Sequence, residues 1–146
     1  MLASVQSMGL AGIEGYRVTV EAFSADGLPM FEIVGLPDAA VKESRERVRA
    51  AMASCGLAFP VARLTVNLAP ADIKKEGPAY DLPIALAILA SSGVLDAKAL
   101  DGTAAVGELS LTGGVVGVRG ALSMAIAARG CGIPVSYTHL TLPTIS

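Results

Sequence analysis

One stretch, Asn67 to Gly93, limits the possible folds of this chain more than any other; it reads NLAPADIKKEGPAYDLPIALAILASSG. A strand feeds it, because Leu64, Val66 and Leu68 alternate with Arg63, Thr65 and Asn67 at the period of a half-buried strand. A Pro-rich loop follows. Asp81 stands one residue before the next apolar run and reads as a helix N-cap, its carboxylate accepting backbone N–H groups. Pro83 then falls in the first turn, where a missing N–H costs nothing. Leu82 to Ala90 is apolar on every side, which predicts a helix buried all round, with Gly93 as its stop.

The flanking segments are read by the same rules. Leu2 to Leu10 predicts an edge strand, broken by Gly12 and Gly15. From Tyr16 to Phe23, Tyr16, Val18, Val20 and Ala22 alternate with Arg17, Thr19 and Glu21. Asp26-Gly27 is a hairpin signal, with the returning strand at Phe31 and Ile33. Pro37-Asp38 opens a long helix from Ala39 to about Cys55, stopped by Gly56. Val41, Val48, Met52 and Cys55 form its apolar stripe, and Glu43 and Arg47 make an i,i+4 pair. Lys42, Arg45, Glu46 and Arg49 lie off the stripe and form the one basic face of the chain, read either as a solvated surface or as a contact for nucleic acid or a neighbouring subunit.

Beyond Gly93 come a polar connection from Asp96 to Gly102, a strand from Ala104 to Leu111, a turn at Thr112-Gly113-Gly114, a return from Val115 to Val118, and a last helix from Ala121 to Arg129. This order predicts an α+β fold, an α/β sandwich with helices on one side of a mixed sheet. The tail from Val135 to Ser146, VSYTHLTLPTIS, is foreign in composition. It reads as a strand ending at Pro143 or as translated adapter sequence; the second reading is preferred, and the tail is set aside. The expected organisation is one domain over 1–134 and a non-native tail over 135–146.

Composition excludes several functions. Charged residues are 16% and hydrophobic residues 53% of the 146, enough for a packed core. The net charge of −2 is not that of a general phosphate neutraliser, and aromatics at 4% argue against a base-stacking platform. Cys55 and Cys131 form no CxxC pair and His139 is the single histidine, so a zinc site is not expected; buried thiols are the commoner reading at such Ala-rich positions. No charged n-region precedes Arg17, and the longest apolar run falls short of the roughly 18–20 residues of a membrane span. A cytoplasmic domain is the expectation.

The catalytic options are equally narrow. No Gly-Lys pair occurs, so a P-loop is missing, and the glycines from Gly107 to Gly120 read as hairpin punctuation rather than a dinucleotide motif. Phosphate at the N-terminus of the central helix would meet the Asp81 carboxylate, with Lys74 and Lys75 only partly compensating. A Ser–Lys dyad needs a desolvated lysine, and Lys42, Lys74, Lys75 and Lys98 all stand in polar sequence surroundings. Asp72 and Glu76 read as solvated loop acids.

At this point a resemblance enters. Val34 to Arg49 (VGLPDAAVKESRERVR), Thr65 to Asp72 (TVNLAPAD), Lys75-Glu-Gly-Pro78, Tyr80 to Ile84 (YDLPI) and Val106 to Leu111 (VGELSL) resemble the N-terminal domain of the magnesium-chelatase-like AAA+ ATPases, the YifB/ComM competence family. The match runs from about Leu2 to Pro134. Gly35, Pro37, Asn67, Pro70, Asp72, Gly77, Asp81 and Pro83 are its structural motif residues.

The resemblance implies a fold similar to the Lon proteolytic domain and to domain two of the small-subunit ribosomal protein S-five. It also implies that the Lon-type dyad is absent: Ala79 stands where the nucleophilic Ser would be and Leu122 where the Lys would be. The implied role is a non-catalytic accessory domain of a ring-forming AAA+ DNA helicase active in branch migration during natural transformation. ATP and Mg would bind in an ATPase domain lying outside this chain. The implied partners are that downstream domain, neighbouring subunits and DNA, the last through Lys42, Arg45 and Arg49, with no membrane. The alternatives are a Lon-like Ser peptidase, with Ser123 the first residue to test, and a free-standing oligomerisation module.

Overall fold

A computed structural model describes residues 1–116. The predicted last helix, Leu122, Ser123, Cys131 and the 135–146 tail lie outside the described residues. Strands β1 (Leu2–Ala11), β2 (Glu14–Ala25), β3 (Met30–Val34) and β4 (Arg63–Ala69) form one sheet in the order β1-β2-β4-β3. Helices α1 (Ala39–Lys42) and α2 (Ser44–Ser54) lie between β3 and β4 in the chain, and α3 (Asp81–Ser91) follows β4. A two-residue pair, β5 (Glu108–Leu109) and β6 (Val115–Val116), completes an α+β architecture with a mixed sheet. No helix among the described residues is long and apolar enough to cross a membrane.

The alternation read from the sequence sorts the sheet into two faces. Val5, Val18, Val20, Ala22, Phe31, Ile33, Leu64, Val66 and Leu68 are buried and form one core with Val41, Val48, Met52, Ile84 and Ile88 of the helices. The opposite face carries polar pairs, where Gln6 Oε1 accepts from Arg17 Nε at 2.7 Å and from Thr19 Oγ1 at 3.2 Å and Asn67 Nδ2 donates to Glu21 Oε1 at 2.9 Å, alongside exposed Leu2, Phe23, Met30 and Val34. α3 is nearly all apolar and packs on β1 and β2, with only Leu82, Leu86 and Leu89 part-exposed in its apolar run. Gly93 ends it as expected, at φ +80°.

Five local expectations are corrected. Asp26-Gly27 does not close a hairpin between neighbouring strands: β4 inserts between β2 and β3, antiparallel to the first and parallel to the second. The connection from β3 to β4 runs through helices, which is what a parallel pairing requires. The long helix is broken at Glu43, whose carbonyl accepts from both Glu46 and Arg47 N–H groups, so α2 restarts with Ser44 turned into the interior. Asp81 is not an N-cap: a 3₁₀ turn, Pro78–Tyr80, leads directly into α3, and Asp81 sits in the first turn with its side chain directed elsewhere. The strand expected over 104–111 shrinks to β5 and a single bridge from Ala104 to Gln6. Cys55 is exposed, because it follows the last turn of α2 where the core has ended.

Candidate functional site

The motif residues converge on two loops, 35–38 and 70–77, held together by a buried lysine. Gly35 follows β3 at φ +105°, and a Cβ there would collide with the Leu68 carbonyl. Only glycine fits that approach. Pro37 bridges to Lys75, the Lys75 N–H donates to the Leu36 carbonyl at 2.9 Å, and the Asp38 N–H returns to the Lys75 carbonyl at 2.9 Å. Asp38 does double duty, capping α1 through the Val41 N–H at 2.8 Å and accepting from the Gly77 N–H at 3.2 Å.

The lysine itself corrects the sequence reading. Lys75 is 0% exposed, and its Nζ donates to the Gly35 carbonyl at 2.9 Å and to the Pro70 carbonyl. Burial pushes its pKa below the ordinary lysine value, and the nearby charge of exposed Asp72 partly opposes that shift. Desolvation is what a Ser–Lys dyad needs, yet this ammonium is spent on two backbone carbonyls. Lys74-Lys75 looks like a solvated pair in sequence, and no local pattern marks the second for the interior.

A second buried polar node joins three elements. Asp81 is 0% exposed and accepts from Ser44 Oγ, from Arg47 Nε at 2.6 Å, from Arg47 NH2 at 3.1 Å and from the Leu109 N–H at 3.1 Å. Arg47 also donates to the Ala40 carbonyl at 2.7 Å and keeps the expected contact with Glu43 at 3.6 Å. The hydrogen bond to Asp81 raises the Arg47 pKa, so the guanidinium stays charged throughout. α2, α3 and β5 therefore share one satisfied carboxylate. Ser44 and Arg47 escaped sequence reasoning because they lie 37 and 34 residues from Asp81. Pro83 is buried in the turn that follows.

The basic face is divided by the structure. Lys42 and Arg45 are exposed and border an open groove of about 270 Å³ lined also by Glu32, Ile33 and Val34. Arg49 lies one turn further along α2, its guanidinium 4.6 Å from the Phe59 ring centre and 5.5 Å from that of Phe31. The two rings, 5.3 Å apart, hold it in place while leaving it exposed. Neither Lys42 nor Arg45 forms an ion pair with another described residue.

The start of α3 is closed to phosphate, because the Leu82 N–H donates to the Gly107 carbonyl at 3.0 Å and Asp81 brings a negative charge. No three His, Cys, Asp or Glu side chains among the described residues lie close enough to share a metal ion. Ala79, which the resemblance aligns with a Lon-type nucleophile, is buried and carries no hydroxyl.

A family model described as subunit ChlI of Mg-chelatase matches residues 20–136. The chain is 48% identical over 127 residues to the YifB protein of Salmonella typhimurium, covering 87% of this chain. It is 46% identical over 128 residues to competence protein ComM of Haemophilus influenzae and 45% identical over 128 residues to protein Rv2897c of Mycobacterium tuberculosis, 88% of this chain in each case. It spans only 25% of the length of these relatives. The chain belongs to the magnesium-chelatase ChlI family and corresponds to an N-terminal portion of proteins such as YifB and ComM.

Proposed function

We propose that this chain is a non-catalytic N-terminal accessory domain, with a Lon-like topology, of a ring-forming AAA+ ATPase that works on DNA. ATP and Mg bind in a separate ATPase domain of the whole protein, neighbouring subunits are its partners, and the setting is cytoplasmic. The competence designation of the Haemophilus relative supports a role with incoming DNA, and branch migration is the activity proposed for the whole protein. The observation that carries the reading is the split between spent and unspent charge. Asp81, Arg47 and Lys75 are consumed in holding the fold, whereas Lys42, Arg45 and Arg49 stand exposed at i, i+3 and i+7. Lys42 at the end of α1 with Arg45 and Arg49 on α2 offers three exposed cations to a short run of phosphates.

Titration of a labelled DNA duplex with this chain at increasing salt tests the proposal. Three phosphate contacts give a slope of log Kobs against log salt of about −2 to −3. Reversing Lys42, Arg45 and Arg49 to Glu is expected to abolish that slope and the binding. Affinity unchanged by the triple reversal would overturn the DNA contact. Peptide hydrolysis by the purified chain would overturn the non-catalytic role.

A further inference from the structure

The groove beside Lys42 and Arg45 has a backbone wall, and that wall carries an inference independent of the DNA reading. Among the described residues β3 pairs only with β4, and no described strand lies along its other edge. The Met30 N–H donates to the Ala62 carbonyl, on the β4 side. N–H and C=O alternate sides along a strand, so Glu32 and Val34 also face β4, and the peptide groups of Phe31 and Ile33 face the open edge. Side chains alternate the other way out of the sheet. Phe31 and Ile33 point into the helix-side core, while Met30 and Val34 remain 46% and 40% exposed on the opposite face.

An unpaired edge of this kind is normally blunted by a charge, a bulge or a cover. Here Glu32 is the one charge on β3, and the edge leads into an exposed apolar run. Leu36 is 51% exposed and held at φ +58°, the left-handed region that a leucine rarely adopts. Its carbonyl is fixed by the Lys75 N–H, so the buried lysine loop holds this strained residue in place beside the edge. The groove lies along this edge, with Ile33 in its wall and the Lys42 and Arg45 side chains on the helix side.

We propose that the open edge of β3, with Lys42 and Arg45, docks an extended polypeptide segment that alternates acidic and apolar residues and adds to the sheet as a further strand. The incoming backbone bonds to the Phe31 and Ile33 peptide groups. Its helix-side residues fall in the groove, where carboxylates meet two cations that form no ion pair with another described residue, Glu32 of the groove lining included. Its opposite-face residues lie beside Met30 and Val34, where apolar side chains gain cross-strand contact. Backbone pairing supplies affinity and the two alternating faces supply selectivity. A symmetric pairing of two copies through this strand is disfavoured, because antiparallel β3 strands centred on Glu32 would set two carboxylates opposite each other.

The test uses this chain and a short synthetic peptide alternating Glu and Val, followed by amide hydrogen exchange and fluorescence anisotropy. Saturating peptide is expected to slow exchange at the Phe31 and Ile33 amides by ~tenfold or more. Arg45→Glu, an exposed substitution, is expected to weaken binding ~tenfold, and a central proline in the peptide to abolish it. Binding that leaves both amides unprotected, or that tolerates the proline, overturns the proposal. Protection that appears without peptide and grows with protein concentration also overturns it, assigning the edge to a second copy. DNA contacting the α1–α2 side chains leaves these two amides exchanging, so failure here and failure of the DNA reading are separately visible.

Discussion

The Lys75 ammonium lies 2.9 Å from the Gly35 carbonyl, 40 residues away in sequence, and closes two motif loops over one buried charge. Replacing it with methionine keeps the stem and removes the donors. The Gly35 and Pro70 carbonyls then lose their buried partner, at a cost of about 1–3 kcal/mol. Urea unfolding of Lys75→Met should show that loss, with faster exchange of the Asp38 amide, which bonds the Lys75 carbonyl.

Gly35 is the other half of that contact. Gly35→Ala places a methyl against the Leu68 backbone at a φ of +105°. Backbone cannot rotate aside as a side chain does, so the substitution should destabilise by about 3 kcal/mol or more. A fall in the urea midpoint with an unchanged m-value is the expected signature.

The Asp81 node yields a cycle. Asp81→Asn leaves Arg47, whose side chain is only 18% exposed, without its anion, and should cost about 3 kcal/mol. Arg47→Met should cost a similar amount by stranding the carboxylate. The double variant Arg47→Met with Asp81→Leu should cost less than the sum of the two singles, measured as a coupling energy by thermal or urea unfolding.

Two buried groups shape the alkaline limb of stability in opposite directions. Burial raises the Tyr80 pKa well above the ordinary phenol value of about 10. Its stabilising contribution is complete below about pH 10 and is lost as pH rises toward the folded value, because the unfolded chain releases that proton first. Lys75 has a lowered folded pKa, so between that value and about 10.5 the unfolded chain holds the extra proton and stability rises with pH. Tyr80→Phe should therefore flatten the fall above about pH 10, and Lys75→Met should remove the rise below about 10.5. Urea midpoints measured across that range separate the two.

Much of the sheet was legible in the chain. The alternations in β2 and β4 place Val18, Val20, Leu64 and Val66 in the core as read, and the apolar run of α3 is buried except at Leu82, Leu86 and Leu89, which are part-exposed. Lys42, Arg45 and Arg49 are all exposed, but α1 ends at Lys42, so they do not share one helix. The setting of Arg49 was not legible, since the rings of Phe31 and Phe59 reach it from other parts of the chain. The break at Glu43 was also hidden, because Ser44 turns inward to meet a carboxylate that sequence analysis had assigned to a helix cap.

The sequence by itself determined what is local: which residues alternate, where helices stop, and that the chain packs as α+β. Period and turn chemistry act over a few residues and need no partner. Only the tertiary structure decided that β4 divides β2 from β3, that Lys75 is interior, and that Asp81 serves Arg47 rather than its own helix. Strand partners are chosen by burial across the whole sheet, and a charge enters the core only where distant groups converge to satisfy it.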